Sequence, residues 1–203
     1  MSYTTAYRDL FYDWVTGVRI KGTDGAETWF NPNKIQRKHI LEDWWPITII
    51  KKGRQAGMTT LKLLEIIFFC ETFPRFSAAI ACCDVTNKKS IIKQLSYILK
   101  LRGTGYRYTI RDGGVIRLEN GSTITVDNKI EPRGLTFEHL LVDEACYFKY
   151  DYQQLFYSVD KDGVICVQSS ENNGKWDSMY DAYFGEGVWP SVAVKALDYT
   201  KEE

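Results

Sequence analysis

The sequence has little of what several common chemistries require. Only two histidines occur in 203 residues, His39 and His139, and none of the five cysteines, Cys70, Cys82, Cys83, Cys146 and Cys166, is spaced as a CxxC pair. A zinc site is therefore not expected. The cysteine count is odd, the spacing is irregular, and each thiol lies in or beside an apolar run. Buried reduced thiols in a cytosolic protein are predicted, not a disulfide framework. No stretch of about 18 apolar residues exists, so no membrane span is expected. Arg8 and Asp13 interrupt the first apolar stretch, unlike a signal peptide. Net charge is absent as well. Lys and Arg number 26 and Asp and Glu 26, which removes bulk charge as an argument for a nucleic-acid partner. Internal repeats and low-complexity segments are missing.

What is present is a composition with 44% hydrophobic and 14% aromatic residues, enough for one domain with a sizeable core. Apolar runs at 46–50, 77–83, 138–142 and 164–168 read as buried strands. Between them, 59–70 reads as a strongly apolar helix. Residues 87–101 read as an amphipathic helix with Ile91, Leu95, Ile98 and Leu99 on its apolar face. A first helix is expected over 3–15, followed by a loop through Gly22, Asp24 and Gly25. A second helix is expected from Asn31-Pro32, with Pro32 in its first turn and Ile35, His39, Ile40 and Trp44 on one face. Residues 106–126 read as short strands joined by turns at Asp112-Gly113-Gly114 and Asn120-Gly121. Buried strands alternating with helices predict an α/β fold with a largely parallel sheet, whose ligands bind at the carboxyl ends of the strands. The two histidines read as packing residues.

Charge is distributed unevenly. Between Val85 and Leu118 lie Lys88, Lys89, Lys93, Lys100, Arg102, Arg107, Arg111 and Arg117 against the single acid Asp112. From Asp143 onward twelve acids face five lysines. The basic segment is either a solvated helix face with a hairpin or a positive surface for DNA phosphates or an acidic neighbouring subunit.

Two segments carry chemistry. Lys52-Gly53-Arg54-Gln55-Ala56-Gly57-Met58-Thr59-Thr60 joins a buried strand to an apolar helix, the setting of a phosphate-binding loop. There, backbone N–H groups and a helix N-terminus face an anion, and Thr59 places a hydroxyl where Mg²⁺ would sit between the β- and γ-phosphates. Against the pattern G-x-x-x-x-G-K-[ST], Lys52 occupies the first Gly position and Met58 the Lys position. A charge-assisted hydrogen bond is worth about 1.5–3 kcal/mol, so the missing lysine matters. Either Lys52 supplies the ammonium from the other end of the loop, or the loop binds nucleotide weakly, or Met58 is an introduced inactivating substitution. The plainer reading is an ordinary strand-to-helix turn. In the second segment, an apolar run from Phe137 ends in Asp143-Glu144, as in the second nucleotide motif of P-loop ATPases. Asp143 would hold Mg²⁺ and Glu144 would orient and deprotonate the attacking water. The plainer reading here is a solvated acidic turn.

Taken in order, these elements resemble the N-terminal ATPase domain of a tailed-bacteriophage terminase large subunit, the viral DNA-packaging motor. The resemblance rests on Phe30 to Gln36, Arg54-Gln55, Asn120-Gly121-Ser122, Arg133-Gly134, Asp143-Glu144, Ser169-Ser170 and Asn173-Gly174. It implies an ASCE-type P-loop NTPase fold and a single ATPase domain over 1–203, with a helical lead-in over 1–30. The family's nuclease domain has no room in 177–203, so an isolated domain is expected. The cofactors implied are ATP and Mg²⁺. Gln36 would read the adenine edge, and Lys52 and Arg54 would lie near the β- and γ-phosphates. Arg133 would reach a neighbouring subunit's γ-phosphate as an arginine finger, and Ser169 and Ser170 would couple hydrolysis to movement. The implied partners are double-stranded DNA, a portal protein, a small terminase subunit and further copies in a ring. The isolated domain would be monomeric, in the host cytoplasm at the procapsid portal. Two departures stand out: Met58 in the lysine position, and Glu171 where the family often has Pro. A nucleotide-binding assembly module disabled by Met58 and a helicase-like ATPase are the alternative functions.

Overall fold

Continuous apolar runs become strands buried on both faces, and they assemble into one central sheet. The computed structural model describes residues 5–22, 25–103, 107–111, 113–131, 134–172, 174–184 and 195–200. In chain order the elements are α1 (Thr5–Thr16), β1 (Arg19–Lys21), β2 (Glu27–Trp29), α2 (Lys34–Leu41), β3 (Ile47–Lys52), α3 (Met58–Thr72), β4 (Ser77–Cys82) and α4 (Val85–Leu101). After these come β5 (Tyr108–Arg111), β6 (Val115–Leu118), β7 (Thr123–Asp127), β8 (Phe137–Asp143), β9 (Val159–Ser170), α5 (Lys175–Phe184) and β10 (Lys195–Tyr199). Two short 3₁₀ turns, Ala145–Tyr147 and Gln153–Ser158, lie between β8 and β9.

The eight-stranded sheet has the order β10-β3-β9-β8-β4-β7-β6-β5, and only β6 and β5 run antiparallel to their neighbours. Side chains alternate between two cores. Ile50, Ala78, Ile80, Leu141 and Cys166 face one core with α1 to α4. Ile49, Ala79, Ala81, Leu140, Val142 and Val167 face the other, with the 3₁₀ turns and α5. Glu71 ties the first layer together. It accepts from Trp14 Nε1 at 3.0 Å and from two Arg102 nitrogens at 3.0 and 2.8 Å, joining α1, α3 and the end of α4.

The expected α/β architecture is present, with local differences. Pro32 lies outside α2, because Asn33 caps that helix. The Asn33 side chain accepts from the Gln36 N–H while Gln36 Oε1 accepts from the Asn33 N–H, a reciprocal capping box. The helix ends at Leu41, so Trp44 packs from beyond it. Strand β3 runs on through Lys52, which belongs to the strand and not to the loop. The segment read as a loop after α1 contains the β1–β2 hairpin. Strand β9 starts earlier than residue 164, and β10 and α5 carry a C-terminal stretch that periodicity did not resolve. All five cysteines are free thiols, four of them buried. Among the described residues no helix is long and apolar enough to cross a membrane.

Beneath α3 the core is polar at one place. Lys62 Nζ donates to Glu65 Oε2 at 2.8 Å with both side chains buried, and His139 Nε2 lies 4.0 Å from Glu65 Oε1. Burial, opposed by Glu65 and aided by Lys62, holds the His139 imidazole down at about 4, from an ordinary 6.5. His39 is lowered well below its usual range by burial and by Lys62 and Lys195.

An unfolded chain takes up the His139 proton near pH 6.5, the folded one only near pH 4. Folding stability is therefore complete above this window and falls as pH drops through it, by roughly 3 kcal/mol for this one group. A His139→Phe variant, followed by denaturant unfolding from pH 7 to pH 4, is expected to show a correspondingly shallower decline. An unchanged slope would contradict the assignment.

Candidate functional site

The carboxyl ends of β3, β9 and β8 lie side by side, β8 ending two residues short of the other two. Lys52 pairs with Ser170, and Asp143 with Gln168. Beyond β3 the chain makes the tight loop predicted to cradle phosphate. Gln55 and Gly57 both take left-handed backbone angles, φ 64° and 72°. Gly57 is the N-cap of α3 and provides no side-chain cap. The first amides of a 15-residue helix thus lack a side-chain acceptor at the loop, the arrangement that attracts an anion.

Four of the predicted residues meet here. Lys52 Nζ donates to Glu144 Oε1 at 2.6 Å and to Thr59 Oγ1 at 3.4 Å, and lies 4.0 Å from Asp143 Oδ1. Thr59 Oγ1 donates to Asp143 Oδ1 at 3.1 Å. Glu144 itself sits in the left-handed region, φ 59°, a conformation that costs a non-glycine residue about 1–3 kcal/mol. Its carboxylate is held there by Lys52 and, on the other oxygen, by the Ser170 N–H and hydroxyl at 3.1 and 3.0 Å. Burial pushes the Glu144 carboxyl up. The Lys52 charge and the hydrogen bonds from Lys52 and Ser170 outweigh it, leaving the group below its usual range and ionised at neutral pH. Ser169 turns inward, its hydroxyl accepting from the Cys146 N–H at 3.1 Å and donating to the Ser170 carbonyl at 2.9 Å.

Two residues escaped the sequence reading. Gln168 Nε2 bridges Asp143 Oδ1 and Thr59 Oγ1, at 2.7 and 3.2 Å. Asn87 Nδ2, from the first turn of α4, donates to Asp143 Oδ2 at 3.1 Å. A glutamine inside an otherwise apolar strand was the available signal for the first; Asn87 had none. The remaining amide oxygens, Gln168 Oε1 and Asn87 Oδ1, are buried without a hydrogen-bond partner. Among the described residues no three His, Cys, Asp or Glu side chains cluster to hold a metal unaided. One carboxylate and one hydroxyl do fit Mg²⁺, which keeps several waters and completes its shell with substrate phosphates.

The loop residues divide. Arg54 and Gln55 are exposed at the rim of an open cavity of about 340 Å³ lined also by Lys52, Cys83, Glu144, Tyr147 and Ser170. Burial pushes the Cys83 thiol up to about 11, so it is protonated there. Met58 points the other way: its side chain is fully buried in the apolar core under α3, leaving only its backbone facing the loop. Gln36 is buried, with Oε1 accepting from Asn33 and Nε2 donating to the Gly57 carbonyl at 2.8 Å, so its amide braces the loop. Asn33 Nδ2 braces it again at the Ala56 carbonyl, 3.1 Å. Gly53 closes a turn to Ala56, and Thr60 lies in the first turn of α3, away from this cavity. Arg133 and Asn173 lie outside the described residues.

No protein-family model matches the chain, and no curated protein matches it. Solved structures do. The large terminase of bacteriophage HK97 superposes with a TM-score of 0.66 at 12% identity, over 80% of this chain and 37% of that one. The large terminase of a thermophilic bacteriophage, in complex with ATP-gamma-S, gives 0.56 at 17% identity, over 77% and 40%. The large terminase ATPase domain of Thermus phage P74-26 gives 0.61 at 13% identity, over 98% and 86%. The fold is thus that of phage large-terminase ATPase domains, a P-loop NTPase fold, and the chain spans well under half of the first two structures.

The loop bracing is testable. A Cβ on Gly57 would stand 2.6 Å from Gln36 Nε2, at a backbone angle that side chains avoid. Gly57→Ala is expected to cost about 1–2 kcal/mol in denaturant unfolding, and a neutral result would show that the loop is not so constrained.

Proposed function

We propose that this chain binds and hydrolyses ATP with Mg²⁺, and that it is the ATPase part of a viral DNA-packaging terminase motor. One observation carries the reading: Lys52, Thr59, Asp143 and Glu144, from segments up to 92 residues apart, converge within hydrogen-bonding or ion-pair distance beside the uncapped start of α3. The likeness of the fold to terminase ATPase domains, one of them in complex with ATP-gamma-S, adds support.

In this proposal Lys52 provides the ammonium that Met58 lacks. Its seat at the end of β3 aims it across the loop mouth at the level of Glu144, and an arriving phosphate competes with Glu144 for it. Thr59 and Asp143 would hold Mg²⁺, with Gln168 and Asn87 fixing the Asp143 carboxylate; the ion would supply charge neutralisation on the phosphates. The loop amides from Gly53 to Thr60 take the phosphate oxygens, and Arg54 and Gln55 close the rim. Glu144 orients a water against the γ-phosphorus and accepts its proton as the new P–O bond forms and the bond to ADP breaks. Ser170 keeps Glu144 aimed, and Ser169 ties the end of β9 to the turn after β8. Through these contacts the two serines would couple hydrolysis to movement. Arg133 completes the charge from a neighbouring copy in a ring. Double-stranded DNA, a portal protein and a small terminase subunit are the partners of the assembled motor at the procapsid in the host cytoplasm.

Phosphate release by the purified chain decides the matter. Lys52→Ala is expected to lower the rate by at least about 100-fold, and Glu144→Gln by about 10²–10⁴-fold while ATP is still bound. Met58→Lys is expected to gain nothing and to lose stability, because the new ammonium enters an apolar core. Large activity in Met58→Lys together with an unaffected Lys52→Ala would overturn the Lys52 assignment. ATP binding without any hydrolysis would favour the disabled assembly module.

A further inference from the structure

The two oxygens best suited to a divalent ion already serve a cation. Thr59 Oγ1 and Asp143 Oδ1 lie 3.1 Å apart. Neighbouring oxygens of an octahedral Mg²⁺ shell, with ligands about 2.0–2.1 Å from the ion, stand roughly 2.9 Å apart. The Lys52 ammonium is drawn over the same pair, 3.4 Å from the hydroxyl and 4.0 Å from the carboxylate, and Glu144 Oε1 at 2.6 Å is its firmest partner. Lys52 and Asp143 are both buried, so little water is at hand to screen a second positive charge there.

A count of lone pairs sharpens the conflict. A hydroxyl has one hydrogen and two lone pairs. That of Thr59 donates to Asp143 and accepts from Lys52 and from Gln168 Nε2, the latter at 3.2 Å. All its capacity is in use, so one donor must leave before Thr59 can ligate a metal. Gln168 is fully buried within β9, and its amide also holds Asp143 at 2.7 Å. Lys52 makes the longer contact from the last position of β3, on a flexible four-carbon stem. Lys52 is therefore the donor that can withdraw.

Resting on the reading of the loop as an ATP site, we propose that Lys52 also gates the metal. Its ammonium and a divalent ion are alternative occupants of one cradle. Lys52 releases Thr59 and Asp143 only when phosphate oxygens draw the ammonium off, so phosphate precedes or accompanies the ion and a free ion alone is turned away. Lys51, next in β3 and so on the strand's other face, has no such part and pairs with Glu171 Oε2 at 2.6 Å.

Titration of the full chain with Mn²⁺ and no nucleotide, read from the paramagnetic resonance of the free aqueous ion, measures the gate. Lys52→Met and Lys52→Gln are each expected to bind Mn²⁺ at least tenfold more tightly than the unsubstituted chain. Lys51→Met removes the same charge outside the cradle and is expected to stay within twofold. Adding Thr59→Val to Lys52→Met is expected to cancel the gain. The proposal is overturned if neither Lys52 variant gains affinity, if Lys51→Met gains as much, or if the gain survives Thr59→Val. It is also overturned if the unsubstituted chain already holds Mn²⁺ at micromolar concentration and loses it in Thr59→Val, a result that requires no Lys52 variant to fold. Calorimetry with ATP and Mg²⁺ together tests the underlying reading separately. ATP binding without a Mn²⁺ gain in the Lys52 variants sinks the gate alone, whereas failure of the unsubstituted chain to bind ATP removes the ATP reading and this proposal with it.

Discussion

Lys52 and Glu144 stand at the ends of strands that do not touch. Strand β9 lies between them, yet Nζ and Oε1 are 2.6 Å apart. The contact is possible because both strands end near the same edge of the sheet and Glu144, just beyond β8, takes a left-handed backbone angle. An ammonium and a carboxylate so nearly buried would each be costly alone. Paired, they keep the loop mouth charged and ordered, and they place the acid and the base of the site in mutual check. The strained Glu144 backbone is sustained by the same contacts, since Lys52 takes one carboxylate oxygen and Ser170 the other.

Around that pair the polar groups form a connected set. Asp143 accepts from Thr59, Gln168 and Asn87, drawn from α3, β9 and α4. Three elements therefore meet at one carboxylate, and its geometry depends on all of them. The site sits at the carboxyl edge of a parallel sheet, where each strand turns into a loop and polar side chains gather without interrupting the two apolar cores.

Much of this was legible in the sequence because its signals are local. The apolar runs of β3, β4, β8 and β9 and the loop between Lys52 and Thr60 declare themselves within a few residues, as does the acidic pair after Val142. What was not legible depends on distance or on exposure. Gln168 and Asn87 acquire meaning only through a carboxylate 25 and 56 residues away. The β1–β2 hairpin has three-residue strands that are largely exposed, so no alternation marks it. Pro32 suggested a helix start two positions too early, because the competing signal, an Asn33 to Gln36 capping box, lies beside it. Met58 aligns with a phosphate-binding lysine by position. Only the packing under α3 shows that its side chain turns from the loop and belongs to the core.

The contact between Asn87 and Asp143 has a mechanical side. Asn87 lies in the first turn of α4, a helix of 17 residues, so its far end is about 21 Å away. A tilt of only about 5° at the carboxylate would swing that end by roughly 2 Å with every internal hydrogen bond of the rod intact. Whatever rests on Lys100 and the arginine-bearing strands that follow would feel such a swing, magnified, as a push.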